Sequence, residues 1–222
     1  MRKHLFAAAL ILTATATQAT AQDWSGAYAG GQLGFSQAAN TGANPNPAIN
    51  FFWDDEVTGA VAGAFAGYNF QYSNGAVIGV EADVMFGDVS GEVLAQGTFP
   101  NNFMGVAYGT TASLRARAGY DMGRYMPYIA IGVTSANVEY GVYAASANAR
   151  GSLSRTETAP TVAIGADIAM GASGSLRVEV RHTDFGTVAV PEIQTDVPGL
   201  VFLPNERELS RTDLLVGYAF RF

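Results

Sequence analysis

The sequence predicts an all-β fold, an eight-stranded antiparallel up-and-down transmembrane β-barrel with short periplasmic turns and long extracellular loops. Three observations carry this. The chain divides into eight strand-like runs, its connectors alternate long and short throughout, and within the runs large apolar residues alternate with charges and small residues. In an up-and-down ring, odd connectors lie at one end and even connectors at the other, so strict alternation clips one end and leaves the other looped.

The elements follow in order. "MRKH" is a basic start, "LFAAALIL" is an apolar stretch too short to span a bilayer as a helix, and "ATAQDW" places small residues at Ala19 and Ala21. This predicts a cleaved export signal over 1–21, cut between Ala21 and Gln22, with a second small-residue site after Ala16. Residues 22–222 then form one barrel domain. The runs are 24–36, 57–72, 76–88, 105–122, 127–141, 157–171, 175–187 and 210–222. "SNG" at 73–75, "GRYM" at 123–126 and "ASG" at 172–174 supply glycine and asparagine for tight turns. The connectors 37–56, 89–104, 142–156 and 188–209 are long. No later stretch is apolar for long enough to make a transmembrane helix.

Composition narrows the function. Charged residues make up 14% and cysteine is absent, which excludes disulfides, thiolate metal sites and a cysteine-linked lipid anchor. Of the 12 basic residues, the leader takes Arg2 and Lys3; ten arginines then face 19 carboxylates, a balance of −9 in place of −7. An acidic chain without a lysine patch is a poor partner for nucleic acid.

The alternation assigns two faces. Ile78, Val80, Val84 and Phe86 oppose Glu81 and Asp83; Leu114, Ala116 and Ala118 oppose Arg115 and Arg117. Val162, Ile164 and Ile168 oppose Asp167; Leu176, Val178 and Val180 oppose Arg177, Glu179 and Arg181. In "LLVGYAFRF", Leu214, Val216, Tyr218, Phe220 and Phe222 share a face, while Arg211, Asp213, Gly217 and Ala219 lie on the other. Glycine and alanine between the charges suit a crowded concave interior, and an eight-stranded ring leaves room only for side chains. The charged face is therefore expected inside, where its members must pair. Glu81 and Asp83 lie on the strand beside Arg115 and Arg117, and Arg177, Glu179 and Arg181 beside Arg211 and Asp213.

Aromatics fall toward the two ends. Phe70, Tyr72, Tyr120, Tyr125, Tyr128, Tyr218, Phe220 and Phe222 are expected in a belt at the turn end, and Phe35, Phe86, Tyr108, Tyr140 and Phe185 in one at the loop end. The first run is ambiguous, with Tyr28 on one parity and Leu33 and Phe35 on the other. The fifth changes phase between Val133 and Val138, which a bulge would absorb.

"DWSGAYAGGQLGFS" resembles the W-x-G-x-Y-x-G-x-x-x-G opening of small bacterial outer-membrane β-barrels, the porin-family or opacity-type surface proteins, with an OmpA-like transmembrane shape. "GYNFQYSNGAVIGVEAD" is similar to that family's second hairpin. "RVEVRHTDFG" matches its seventh strand, with Val180 and His182 where tyrosine is usual. "VGYAFRF" resembles its terminal assembly signal in Gly217, Phe220 and Phe222, with Leu215 where a polar residue is common. The resemblance implies a Gram-negative outer-membrane location, export through the Sec pathway, and the barrel-assembly machinery, outer-membrane lipid and lipopolysaccharide as partners. A monomer without cofactor is expected.

Other features carry less. After cleavage His182 is the one remaining histidine, read as a belt residue. A lipid-esterase site would need a serine that its own strand lacks, with Thr183 facing away and Asp184 on the same side. "GGQLG" precedes no helix and reads as strand. "WDDE" (Asp54, Asp55, Glu56) reads as a solvated loop cluster, with calcium or bridged lipopolysaccharide as the alternative. The leading function is a non-enzymatic structural or surface protein of the cell envelope. A narrow diffusion pore, a loop-mediated adhesin and a soluble ligand-binding barrel are the alternatives. If Phe222 is an assembly signal, Phe222→Ser will reduce the heat-modifiable, folded protein recovered from the outer membrane; unchanged recovery refutes that role.

Overall fold

The computed structural model describes residues 23–222 apart from positions 47 and 100; the expected leader, 1–21, lies outside the described residues. Eight long strands pair antiparallel with their chain neighbours. They are β1 (Gly26–Ala39), β2 (Glu56–Gln71), β3 (Ala76–Gly87), β4 (Asn102–Tyr120), β5 (Tyr125–Ala144), β6 (Ala149–Met170), β7 (Gly174–Val190) and β8 (Asn205–Arg221). β8 also pairs with β1, from Tyr28 opposite Arg221 to Ala38 opposite Arg211, making a ring of eight. A ring satisfies the backbone groups that an open edge would leave unpaired. No helix among the described residues is long and apolar enough to cross a membrane.

At one end three tight turns join β2 to β3, β4 to β5 and β6 to β7. Gly75, Gly123 and Gly171 sit there at φ of 86°, 78° and 83°, a region that costs a residue with a Cβ. Trp24 closes this end. Its buried indole donates to Asp121 Oδ1 (3.1 Å), and Arg221 lies 4.5 Å from its ring.

At the other end the strands run further than their apolar pattern suggested. β6 begins at Ala149 and β8 at Asn205, well inside stretches expected to be loop. The connector expected over 142–156 is instead a hairpin whose turn, 145–148, ends on Asn148 at φ 48°. The first loop contributes Thr41–Ala43, which pairs with β8, and Phe51–Trp53. Val89–Leu94 pairs with β4, and Ile193–Gln194 pairs with Val201–Phe202.

The reason is a change in chemistry partway up the wall. In the turn half, Leu33, Ile78, Leu114, Ile129, Ile131, Ile164 and Leu214 point outward and are exposed, Leu33 by 65%. Further up, the outward positions become polar: Gln37 and Thr58, then Asp88, Glu139, Asp184 and Glu208. The interior changes in the opposite sense. It holds charges in the turn half and a dry apolar core in the loop half, with Val57, Val61, Met85, Val106, Val138, Val142 and Leu209 packed under Phe51, Trp53 and Phe202.

This corrects two expectations. β5 has no phase change: from Met126 to Ala144 its even-numbered side chains face inward, and Val138 looked displaced only because the interior there is apolar. The register shifts lie in β4 between Tyr108 and Thr111 and in β7 between Asp184 and Gly186. The bulge in β4 turns Tyr108 inward. Tyr108, Tyr128 and Tyr140 are thus buried inside and belong to neither belt. Phe185 is half-buried with its ring 6.1 Å from that of Tyr108. Phe35 and Phe86 at the loop side, and Phe70, Tyr72, Tyr120, Tyr218, Phe220 and Phe222 at the turn side, do face outward.

The level of the change is testable on one face of β5. Ile131→Arg should cost about 2–4 kcal/mol, and Glu139→Arg about 0–1 kcal/mol, in urea unfolding from lipid vesicles. Equal costs would refute the boundary.

Candidate functional site: a buried ion-pair network

The ten charged residues expected inside all lie there, each buried. Eight of them form one connected network. β3 supplies Glu81 and Asp83, β4 Arg115 and Arg117, β6 Asp167, and β7 Arg177, Glu179 and Arg181. The register begins it: Glu81 stands opposite Arg115, and Asp167 opposite Arg177. Alternation aims all of them at the ring axis, and long guanidinium arms then reach across it.

Glu81 is the hub. One oxygen accepts from Arg115 Nη2, and the other from Arg177 Nη1 (2.6 Å) and Arg117 Nη1 (3.2 Å). Asp167 accepts from Arg117 Nη2 (2.7 Å) and Arg177 Nε (2.8 Å). Glu179 accepts from Arg115 Nη1 (2.7 Å) and Arg181 Nη2 (2.9 Å), and Asp83 from Arg181 Nη1 (2.9 Å). Four guanidiniums therefore face four carboxylates, and the cluster is neutral. Removing two or more charges from water costs several kcal/mol per ion, and only dense pairing offsets it.

The second expected grouping forms differently. Arg181 stands opposite Asp213 on β8, yet its hydrogen bonds go to Glu179 and across the interior to Asp83. Arg211 and Asp213 pair with each other, Nε to Oδ1 at 2.8 Å.

Aromatic side chains complete the network, and their residue types alone did not mark them. Tyr28 donates to Glu81 Oε2 (2.7 Å), and Tyr128 to Glu179 Oε2 (2.7 Å). Arg117 lies 3.9 Å from the Tyr128 ring and Arg177 4.2 Å from the Phe65 ring, close enough for cation–π attraction. Glycines make room for these rings. A Cβ at Gly67 would stand 2.3 Å from Tyr28 Oη, and one at Gly165 2.7 Å from Tyr128 Oη. The available signal was parity: Tyr28 shares its face with Gly30, Gly34 and Ser36, and Tyr128 shares its face with Gly132.

A sixth interior arginine was also missed. Arg207, fully buried in the loop half, has no carboxylate partner among the described residues. It donates to Asn205 Oδ1 (3.0 Å) and Gly105 O (2.6 Å) and stacks on Trp53 and Tyr140 at 5.3 and 5.1 Å.

The remaining candidates carry no chemistry of this kind. His182 is exposed on the outer wall, with Nδ1 2.9 Å from Thr212 Oγ1. Ser210 stands opposite Asp184 on β8, but the carboxylate of Asp184 accepts from Gly186 N across the bulge (2.9 Å). Asp54 accepts from Thr41 Oγ1 (2.7 Å), Glu56 accepts from Gln37, and among the described residues no three metal-ligating side chains converge.

An antiparallel ring with ion pairs inside and apolar side chains outside is the class of an outer-membrane barrel, and its relatives give the family. The chain belongs to the outer membrane protein β-barrel domain family, which matches residues 6–222. It is 27% identical over 208 residues to the 25 kDa outer-membrane immunogenic protein of Brucella abortus, covering 90% of this chain and 79% of that one. Among solved structures it is similar to the outer membrane protein OprG from Pseudomonas aeruginosa (TM-score 0.54, 12% identity, 89% and 96% covered). It is also similar to the outer membrane protein AlkL in DMPC lipid bilayers (TM-score 0.50, 18% identity, 94% and 95% covered). The protein is one of the Gram-negative outer membrane.

The two kinds of interior arginine should respond oppositely. Glu179→Gln leaves Arg115 and Arg181 short of a counter-charge and should cost about 3–5 kcal/mol in urea unfolding. Arg207→Met removes a charge that has no carboxylate and should cost under about 1 kcal/mol or stabilise. A large loss for Arg207→Met would show that its stacking on Trp53 outweighs its desolvation.

Proposed function

We propose that this chain is an integral, non-enzymatic outer-membrane barrel that is closed to ions, with its turns in the periplasm and its hairpins and loops outside the cell. Its role is structural and surface-displaying. The observation that carries this is the inversion of the turn half. Large apolar side chains there face outward while ion pairs fill the interior. That arrangement suits hydrocarbon around the wall, and a soluble ligand-binding barrel would need the reverse.

Closure is supported at both levels. The network residues fill the turn half, Trp24 caps its end, and the loop half is packed with apolar side chains. A water-filled pore would leave charged groups hydrated, whereas here all four central arginines are buried. The outward polar zone above the lipid level carries Asp88, Glu139, Asp184, Glu206 and Glu208, which would stand at the height of lipopolysaccharide head groups. We assign lipid and lipopolysaccharide as its surroundings, the assembly machinery as its partner during insertion, and a monomer as its form.

Planar-bilayer recording tests the proposal. The purified protein should give no steady openings, and Arg177→Ala with Glu81→Ala together should produce them. Steady openings of the unaltered protein would establish a diffusion channel instead.

A further inference from the structure

We propose that the loop end of the ring holds a binding pocket for a compact, uncharged, mostly apolar molecule with the size of a two-ring aromatic and one polar end. A cavity of about 250 Å³ opens there. Every loop-side connection contributes to its wall: Phe51 from the first, Phe99 from the second, Ala147 from the third and Phe202 from the fourth. The four connections are far apart in sequence, and the ring brings them to one axis.

The pocket is preformed. Phe51 and Phe202 are anchored in the apolar core below, and the Phe51 ring packs 5.8 Å from Trp53 and, edge-on, 5.8 Å from Phe99. The third connection is tied to the second by Ala145 N donating to Asn101 O (3.0 Å), and the first to the fourth by Asn44 Nδ2 donating to Pro204 O (3.2 Å). Rigid walls reduce the ordering cost of binding. Phe51, Ala144 and Phe202 belong both to the cavity wall and to that core.

Size and lining identify the occupant. An apolar cavity of about 150 Å³ lined by aliphatic and aromatic side chains stays dry and takes up benzene. This cavity is larger, and apolar side chains again dominate its walls. No charged side chain lines it, which excludes phosphates, carboxylates and amines as preferred guests. The polar side chains on the wall, Asn44, Asn102 and Ser146, are neutral and offer hydrogen bonds to the guest's one polar end. The inference is independent of whether the lumen conducts, so it stands or falls apart from the proposal above.

The test uses 2-naphthol as probe and the full barrel in lipid nanodiscs with labelled alanine and leucine methyls. Saturable shifts of Ala144, Leu200 and Leu203 are expected. Ala147→Trp, which fills the mouth from an exposed position, should weaken the affinity at least tenfold. Ala145→Trp, a neighbour off the wall, should leave it unchanged. The proposal is overturned if the loop-end methyls give no saturating response. It is equally overturned if only outward methyls such as Leu114 move, or if Ala147→Trp binds as the unaltered protein does.

Discussion

The structure depends on the pairing of buried charge at the centre of the ring. Glu81 alone holds three arginines from two strands, and its neighbours Asp167, Glu179 and Asp83 complete a neutral set. Such a set adds little net stability over an apolar filling of the same shape. Its effect is on alternatives. Any register slip of one residue would turn those guanidiniums and carboxylates to the outer wall and their apolar neighbours inward. The pairs therefore fix which face of β3, β4, β6 and β7 looks inward, and the outward face of those strands is left to apolar residues.

Above that network the rule reverses within the same strands. Val138, Tyr140 and Val142 continue the inward parity of Ala130 and Thr134, yet they form a conventional dry core, with Glu139 outside. The wall is thus two barrels stacked on one set of strands, one suited to hydrocarbon and one to water. The bulges in β4 and β7 lie near the junction, where they re-aim Tyr108 and shift the register by a residue. Arg207 is the exception in the upper half, a lone guanidinium held by a carbonyl, an amide and two aromatic rings.

Much of this was legible in the sequence, for a simple reason. A period of two with charge on one parity survives in any strand that separates two media, so the lower strands, the turns and ten of the eleven buried charges could be placed from residue order alone, Arg207 being the exception. The upper halves of the strands were lost because their pattern is the opposite of the lower halves, and a reader following outward grease stops where it ends. Tyr28 and Tyr128 were lost because a tyrosine on a glycine-rich parity looks the same whether it faces lipid or a carboxylate. Tyr108 was misplaced because one extra residue in β4 inverts everything beyond it. The choice of partners was also beyond reach: strand adjacency suggests Asp213 for Arg181, but the arm crosses to Asp83 instead.

That crossing has a consequence for how the molecule is made. Arg181 and Asp83 are separated by 98 positions along the chain, and Arg177 and Glu81 by 96. Neither union is available to a hairpin or to half a sheet; both need the wall to have curled most of the way round. Neutralisation of these four groups therefore comes late in assembly, with the slow kinetics that distant contacts impose.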